Sequence, residues 1–261
     1  MGQNPRPAIS VLLPTYNAAG LVRETLQSVS WADEILVVDS FSNDGTLEIC
    51  REFGTRIIQH EYANSARQKN WALPQCTHEW VLQIDTDEAL EVGLQDEIAA
   101  CLSQVSPEVD AFRMPRKNHV LGKWLRHGGL YPDPQVRLFR KERGQWTDRE
   151  VHAYVAVPGE VSELQGALLH QGMPSISKQL ANLNRYTRYE ADELAKQGRP
   201  FSAYRLLLHP WVVFAYRYFW QQGFRDGWRG LLFCVYTAIY TFLVWAKRWE
   251  MQELNLDHSP K

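Results

Sequence analysis

Short apolar runs alternate with amphipathic stretches along the first part of the chain. Residues 9–17, ISVLLPTYN, read as a buried strand closed by a turn from Pro14 to Asn17. LVRETLQSV then carries apolar residues at helical spacing. EILVVDS is a second apolar strand ending on Asp39, and SNDGTLEICREFG reads as turn, helix and a stop at Gly54. RIIQH is a third, shorter strand, NSARQKNWAL a helix stopped by Pro74, and EWVLQID a fourth strand. Strands alternating with helices in this way predict an α/β layer with a largely parallel sheet. From about Asp110 the rhythm changes. DAFRMPRKNHVLGKWL and PQVRLFRK read as strands of an antiparallel extension, and from Ser177 the chain turns helical up to Gly198, with two more helices in the tail.

In a parallel sheet, ligands bind beyond the carboxyl ends of the strands. Three of the strands end in polar punctuation: Pro14-Thr15-Tyr16-Asn17, Asp39-Ser40 and Asp85-Thr86-Asp87. All three open on one edge. The third is the most unusual, because VLQIDTDEAL drives an apolar strand into Asp85, Asp87 and Glu88. One reading is a solvated turn, with Glu88 to Glu91 opening a helix whose N-terminus favours acids. The other is a hard divalent cation, Mg²⁺ or Mn²⁺, held by two aspartates two residues apart. A cation there cancels the repulsion and leaves coordination positions for phosphate.

The totals narrow the field. A chain of 261 residues supports one large domain or two small ones. With 28 basic and 30 acidic residues it lacks the basic surface of a general nucleic-acid binder. Cys50, Cys76, Cys101 and Cys234 form no CxxC pair, which suggests neither zinc nor a disulfide framework and fits a reducing cytoplasm. MGQNPRPAIS lacks the apolar core of a secretory signal, and Arg6 stands where a myristoylation site has Ser or Thr.

The motifs, taken in order, resemble a family 2 glycosyltransferase of the GT-A fold. They are ISVLLPTYNAAGLVRETLQSV, EILVVDSFSNDGTLEIC, ARQKNWAL, VLQIDTDEAL, HGGLYPDPQVRLFRK, the VH of DREVHAYV, and the tail FRDGWRGLLFCVYTAIYTFLVWAKRWE. The branch they are most similar to contains lipopolysaccharide-core β-glucosyltransferases. The resemblance implies an inverting enzyme that moves a hexose, glucose in the leading reading, from a nucleotide-diphosphate sugar to a lipid-linked saccharide with a divalent metal. It implies that Pro14, Thr15, Tyr16 and Asn17 hold the nucleotide, that Asp39 accepts hydrogen bonds from base or ribose, and that Ser40 and Asp44 share its turn. Arg67 and Lys69 fall beside the donor. Asp85 falls on the sugar–ribose side and at the metal, Asp87 at the metal, and His170, like His152, near metal or diphosphate. Asp133 is a candidate for acceptor hydroxyls, and Arg137 and Arg140 for phosphate. For the base that deprotonates the acceptor, Asp148 comes first and Glu150 second; where family members commonly read VHE, this chain reads VHA, with Ala153.

The expected organisation is a GT-A domain over residues 1–175 and a helical region over 176–261. The tail is crowded with aromatics, and Gly230 to Ala246 carries no charge. That run is slightly short of the ~20 residues of a spanning helix. Either the helices pack on the domain, or they lie in a membrane surface with Arg217, Arg225, Arg229, Lys247 and Arg248 at the headgroups. The second reading places the protein in the cytoplasm, peripheral on the inner membrane. Two other functions remain in view: a nucleotidyltransferase, for which LPTYNAAG is a poor phosphate loop, and a catalytically inactive nucleotide-sugar-binding module. A membrane scaffold would leave the acidic residues without a purpose.

Overall fold

A computed structural model describes residues 6–148 and 153–254. It divides into two compact units, one holding the residues up to 117 with 133–170, the other 118–132 with those from 171 onward. A cut at 175 does not anticipate that the middle segment 118–132 belongs with the C-terminal helices.

In the first unit, β1 (Ile9–Thr15), α1 (Val22–Val29), β2 (Glu34–Asp39), α2 (Thr46–Glu52), β3 (Arg56–Gln59), α3 (Ser65–Ala72) and β4 (Trp80–Gln83) follow the alternation read from the sequence. β5 (Glu88–Leu90), α4 (Leu94–Ser103) and β6 (Val109–Met114) come next. β7 (Arg116–Val120) carries the chain into the second unit, where β8 (Lys123–Trp124) pairs back on it. The chain returns through β9 (Gln135–Arg140), β10 (Gln145–Trp146), β11 (Val155–Ala156), β12 (Glu160–Glu163) and β13 (Leu168–Met173).

The main sheet has the order β12-β6-β9-β4-β1-β2-β3. β1 pairs in parallel with both β2 and β4, and β2 with β3. β9 is antiparallel to β4 and β6, while β12 runs parallel to β6. The antiparallel part is therefore a wedge inside the sheet: PQVRLFRK supplies the strand between β4 and β6. Side chains alternate across β1. Ile9, Val11 and Leu13 pack with Val22, Leu26 and Val29 of α1 and with Leu94, Ile98 and Leu102 of α4. Leu12 faces the other side, with Ala66 and Ala72 of α3 and Trp146 and Val155 of the β10–β11 hairpin. Parallel sheets need such cover on both faces.

Two boundaries differ from the sequence reading. β1 continues through Pro14 to Thr15, in register with Asp39. Glu88 to Glu91 do not open a helix. Glu88–Leu90 form β5, because β13 offers them an antiparallel partner, and α4 begins only at Leu94, after Gly93 in the left-handed region at φ 90°.

The second unit is built on α5 (Ile176–Lys196), α6 (Ala203–Leu207), α7 (His209–Ala215) and α8 (Gly227–Glu253). α5 starts at Ile176, one residue earlier than read: Ser175 is its cap, accepting from the Lys178 amide at 3.2 Å. A π turn, Tyr216–Trp220, and a 3₁₀ turn, Gly223–Asp226, separate α7 from α8, so the tail holds more pieces than two helices. Leu183, Thr187, Ala191 and Leu194 make the buried stripe of α5, and Leu194 packs with Val244 and Trp245 of α8. Asp226 accepts from the backbone amides of Arg126 and His127 at 3.0 and 2.8 Å, and Arg217 donates to the Gly128 carbonyl at 2.6 Å. These bonds tie segment 118–132 to the start of α8.

That start is also where backbone meets backbone. A Cβ on Gly230 would run into the carbonyl oxygen of Gly223, which no rotamer change can relieve. Gly230→Ala is expected to lower stability by about 1–3 kcal/mol, the cost of overpacking, despite the better helix propensity of alanine. Urea unfolding checks this; an unchanged midpoint would show that the two turns separate freely.

Candidate donor and metal site

The parallel strands β1, β2 and β4 deliver their last residues to one edge, and Asp39 is the keystone of that edge. It is fully buried. Its Oδ1 accepts from the hydroxyls of Thr15 and Ser42, and its Oδ2 from the Ser42 amide at 2.9 Å and the Gln59 side chain at 3.1 Å. A carboxylate has about four lone-pair positions, so the protein fills them all. Of these donors only Gln59 stands on an exposed position, and it is the one a ligand can displace.

The loop after β1 is braced against the loop after β2. Asn17, in the left-handed region at φ 45°, donates its amide to Ser42 Oγ and accepts from the Asn43 amide, both at 2.9 Å. Asp44 takes the Ala19 and Thr46 amides at 3.1 Å. The Thr46 hydroxyl, outweighing partial desolvation, and these amides lower the Asp44 carboxyl below its ordinary range. Asp44 is thus a loop brace. Tyr16 is 63 % exposed. Ser40 accepts from the side chain of Gln68 at 3.1 Å, and Gln68 also meets His60 Nδ1 at 3.0 Å.

The acidic turn after β4 is balanced largely from within. Asp85 Oδ1 is 2.9 Å from Lys69 Nζ and 2.9 Å from Gln83 Nε2, and its Oδ2 is 3.1 Å from Arg137 Nη2. Burial favours the neutral acid, but Lys69 and then Arg137 overcome it and hold the Asp85 carboxyl far below the usual carboxylate range. Glu88, wholly buried, accepts from Arg137 at 2.7 Å and lies 3.3 Å from Arg116. Arg137 Nη1 also donates to Gln83 Oε1. Burial works against the Arg137 charge, and Glu88 and Asp85 restore it and raise the guanidinium above its ordinary value. Arg116 continues the chain of charges to Asp133 at 2.7 Å.

Asp85, expected at the metal, therefore has both oxygens committed to side chains of the protein itself. Asp87 is different. Its carboxylate is as exposed as that of Asp85, but its one ion pair within 4 Å among the described residues is with His170, whose Nε2 stands 3.7 Å from Oδ2. The register explains this: His170 on β13 pairs with Glu88 on β5, next to Asp87. Among the described residues no group of three or more His, Cys, Asp or Glu side chains forms a ready cage. The pair fits a cation held by one or two protein ligands and completed by phosphate oxygens and water.

Arg67 and Asp148 form an exposed ion pair at 3.2 Å, joining α3 to the chain just after β10. Glu150 and His152 lie outside the described residues. Ala153 packs, half-buried, against the core on the α3 side of the sheet and brings no carboxylate. Arg140 lies elsewhere: it pairs with Glu79 beside Trp80, at the opposite end of β4, so the expectation that it neutralises phosphate does not hold. The sequence reading missed Gln59, Gln68, Gln83 and Arg116. Gln83 had a signal, since it shares a strand face with Asp85 two residues on. The other three become visible only through contacts distant in sequence.

Residues 10–155 match the model of the family described as "Glycosyl transferase family 2". The chain belongs to glycosyltransferase family 2. Among similar proteins of this kind is the lipopolysaccharide core biosynthesis glycosyltransferase LpsC of Rhizobium meliloti (strain 1021), 26% identical over 258 residues that cover 96% of this chain and 95% of the relative. An uncharacterized glycosyltransferase of Rickettsia typhi, RT0209, is 28% identical over 260 residues, covering 95% and 88%. In fold, this family 2 chain is similar to the mannosyltransferase PcManGT from Pyrobaculum calidifontis in complex with GDP-Man and Mn²⁺. The TM-score is 0.57 at 18% identity, with 94% of this chain and 87% of that one covered. The GT-A fold expected from the motifs is the fold of the chain, with its mostly parallel sheet between helices and a helical region at the C-terminus.

Proposed function

We propose that this family 2 enzyme is an inverting, metal-assisted transferase that moves a hexose, glucose in the favoured reading, from a nucleotide-diphosphate sugar to a lipid-linked saccharide of the lipopolysaccharide-core type. The similarity to LpsC along nearly the whole chain supports the acceptor class. The observation that carries the donor chemistry is the Asp87–His170 pair beside an acidic turn whose other members, Asp85 and Glu88, already have cationic partners. Asp87 and His170 would hold a divalent cation, Mg²⁺ or Mn²⁺, and such a cation stabilises the charge that builds on a leaving diphosphate. The PcManGT complex, of the same fold, contains Mn²⁺ with its sugar nucleotide.

The chain's own groups take the remaining roles in this reading. Thr15, Tyr16, Asn17, Asp39 and Ser40 form the nucleoside edge. Lys69 and Arg137 fix Asp85 as an anion aimed at the ribose–sugar side, so that its orientation does not depend on ligand. Asp148 removes the acceptor hydroxyl proton, and the freed oxygen attacks the anomeric carbon on the face opposite the departing diphosphate. Arg67 pairs with Asp148 at 3.2 Å and orients its carboxylate. Because that pair is exposed, its strength is modest. Glu150 is the second choice of base. Residues 1–175 would then carry donor chemistry, and the helices from 176 would serve a cytoplasmic, peripheral position on the inner membrane.

The test is hydrolysis and transfer with a panel of nucleotide sugars, with and without Mn²⁺, on truncated lipopolysaccharide cores, reading the product anomer by NMR. Retention of configuration would overturn the inverting mechanism, and equal turnover with a chelator the metal role. The nucleoside edge has its own check. Asp39→Asn is expected to weaken nucleoside-diphosphate binding roughly tenfold, the loss of one charged hydrogen bond. Gln59→Ala is expected to keep or improve it by freeing Oδ2. Calorimetry measures both, and unchanged affinity in Asp39→Asn would place this acid outside the site.

A further inference from the structure

The second unit holds an open apolar groove of about 500 Å³. It is lined by α6, α7 and α8, with Leu206, Trp211, Phe214, Val235, Ile239 and Phe242 contributing. The volume lies within the ~300–1,000 Å³ range of small-ligand sites. Its lining is almost wholly hydrocarbon, which excludes a sugar or a nucleotide as the natural occupant.

The surroundings select the occupant. Trp211, Trp220 and Trp228 are 72, 77 and 80 % exposed, and Leu207, Val212 and Phe219 are also largely exposed. Indole rings favour the headgroup level of a bilayer. Between Phe201 and Ala246 the charged side chains are Arg205, Arg217, Arg225, Arg229 and a single acid, Asp226. Asp226 is withdrawn: only 9 % of its side chain is exposed, and it is held by the Arg126 and His127 amides. Arg205, Arg225 and Arg229 are exposed. The exposed charged side chains of this segment are therefore all cationic, which complements an anionic headgroup.

The alternative of α8 as a membrane span fits less well. The segment Gly223–Glu253 is long and apolar enough to cross by length and composition. Yet near its C-terminal end Lys247 Nζ is bound by the Asn184 carbonyl at 2.6 Å and Thr187 Oγ1 at 2.8 Å, and Arg248 Nε by the Arg199 carbonyl at 2.9 Å. Drawing α8 across a bilayer breaks these bonds and uncovers α5.

We propose that the α6–α7–α8 groove seats one acyl chain of an anionic phospholipid of the membrane on which the enzyme works, with the exposed arginines at its phosphate. This rests on, and deepens, the membrane-surface part of the proposed function. One chain in a groove differs from general adsorption: it fixes a binding stoichiometry and an orientation, and it depends on groove shape as well as on charge.

The experiment uses the full chain and phosphatidylglycerol carrying a photoactivatable group on one acyl chain, in vesicles, with peptide mapping of the adduct. Labelling is expected on Trp211, Phe214, Val235 or Ile239. Ala238→Trp fills the groove, and Ile239→Asp places a charge on a lining position that is itself 45 % exposed. Each is expected to reduce that labelling about tenfold, as when two CH₂ groups fail to bury, while the thermal melt and donor hydrolysis stay as in the parent. Wild-type protein that sediments with anionic vesicles but is labelled outside the groove overturns the groove and leaves the membrane reading intact. Failure to sediment at all overturns both. A concentration-dependent dimer abolished by Ala238→Trp, with no lipid adduct, assigns the groove to a second copy and also overturns the proposal.

Discussion

Arg137→Met is expected to cost about 3–5 kcal/mol of stability, the range for removing one partner of a buried ion pair. The side chain is similar in length and apolar, so packing is largely kept and the loss is electrostatic. Glu88 would keep Arg116 at 3.3 Å but lose the guanidinium at 2.7 Å, inside the protein, and Asp85 would keep Lys69 and Gln83 on Oδ1 but lose the guanidinium on Oδ2. Adding Glu88→Gln to Arg137→Met should return part of the loss, because the stranded charge goes with it. Urea unfolding of the three variants measures the coupling. A single variant as stable as the parent would show that water already reaches this pair. The same substitution is expected to weaken catalysis, since Asp85 would no longer be held from two sides.

Asp87→Asn is expected to act the other way round, leaving the fold and taking the activity. Asp87 lies on the acidic turn with Asp85 and Glu88, and its only ionic contact within 4 Å among those described is His170 at 3.7 Å. Removing its charge relieves repulsion in a protein without bound ligand, so the melting temperature should hold or rise. Transfer should fall on the order of 10²–10³, comparable to losing one preorganised contact to developing transition-state charge. Turnover against Mn²⁺ concentration and a thermal melt measured on the same preparation decide it. Full activity in Asp87→Asn would remove this residue from the proposed metal site, and a large drop in melting temperature would reassign it to the fold.

The strand-end edge on which the proposed donor site is built was legible because its signals are local. Apolar runs such as ILVVD and WVLQ announce strands, and a polar residue ending each run marks the edge where their carboxyl ends meet. Asp39, Asp85 and Asp87 could be found this way. The character of Glu88 could not. It reads as a solvated helix-starting acid, and it is buried only because Arg137, far along the chain, brings a guanidinium to it. The same holds for β9. PQVRLFRK is recognisable as a strand, but nothing local tells that it enters the sheet between β4 and β6. Segment 118–132 is harder still, since its place with the helices depends on Asp226 and Arg217 reaching its backbone. The aromatic tail showed its chemistry but not its breaks: the π turn at Tyr216–Trp220 lies inside a run that periodicity reads as helix.

The wedge position of β9 has a consequence for synthesis on the ribosome. β1 to β4 emerge first and can pair among themselves, but Trp80–Gln83 then form the rim of an incomplete sheet until Gln135–Arg140 have also left the exit tunnel. During that interval WVLQ presents unsatisfied backbone beside Trp80, the type of open rim that recruits other chains. Two charged side chains arrive with the strand that closes it, Arg140 over the Trp80 ring and Arg137 against the acids at the far end. The same late strand thus ends the nascent chain's exposure to aggregation and gives the acidic turn its counter-charge.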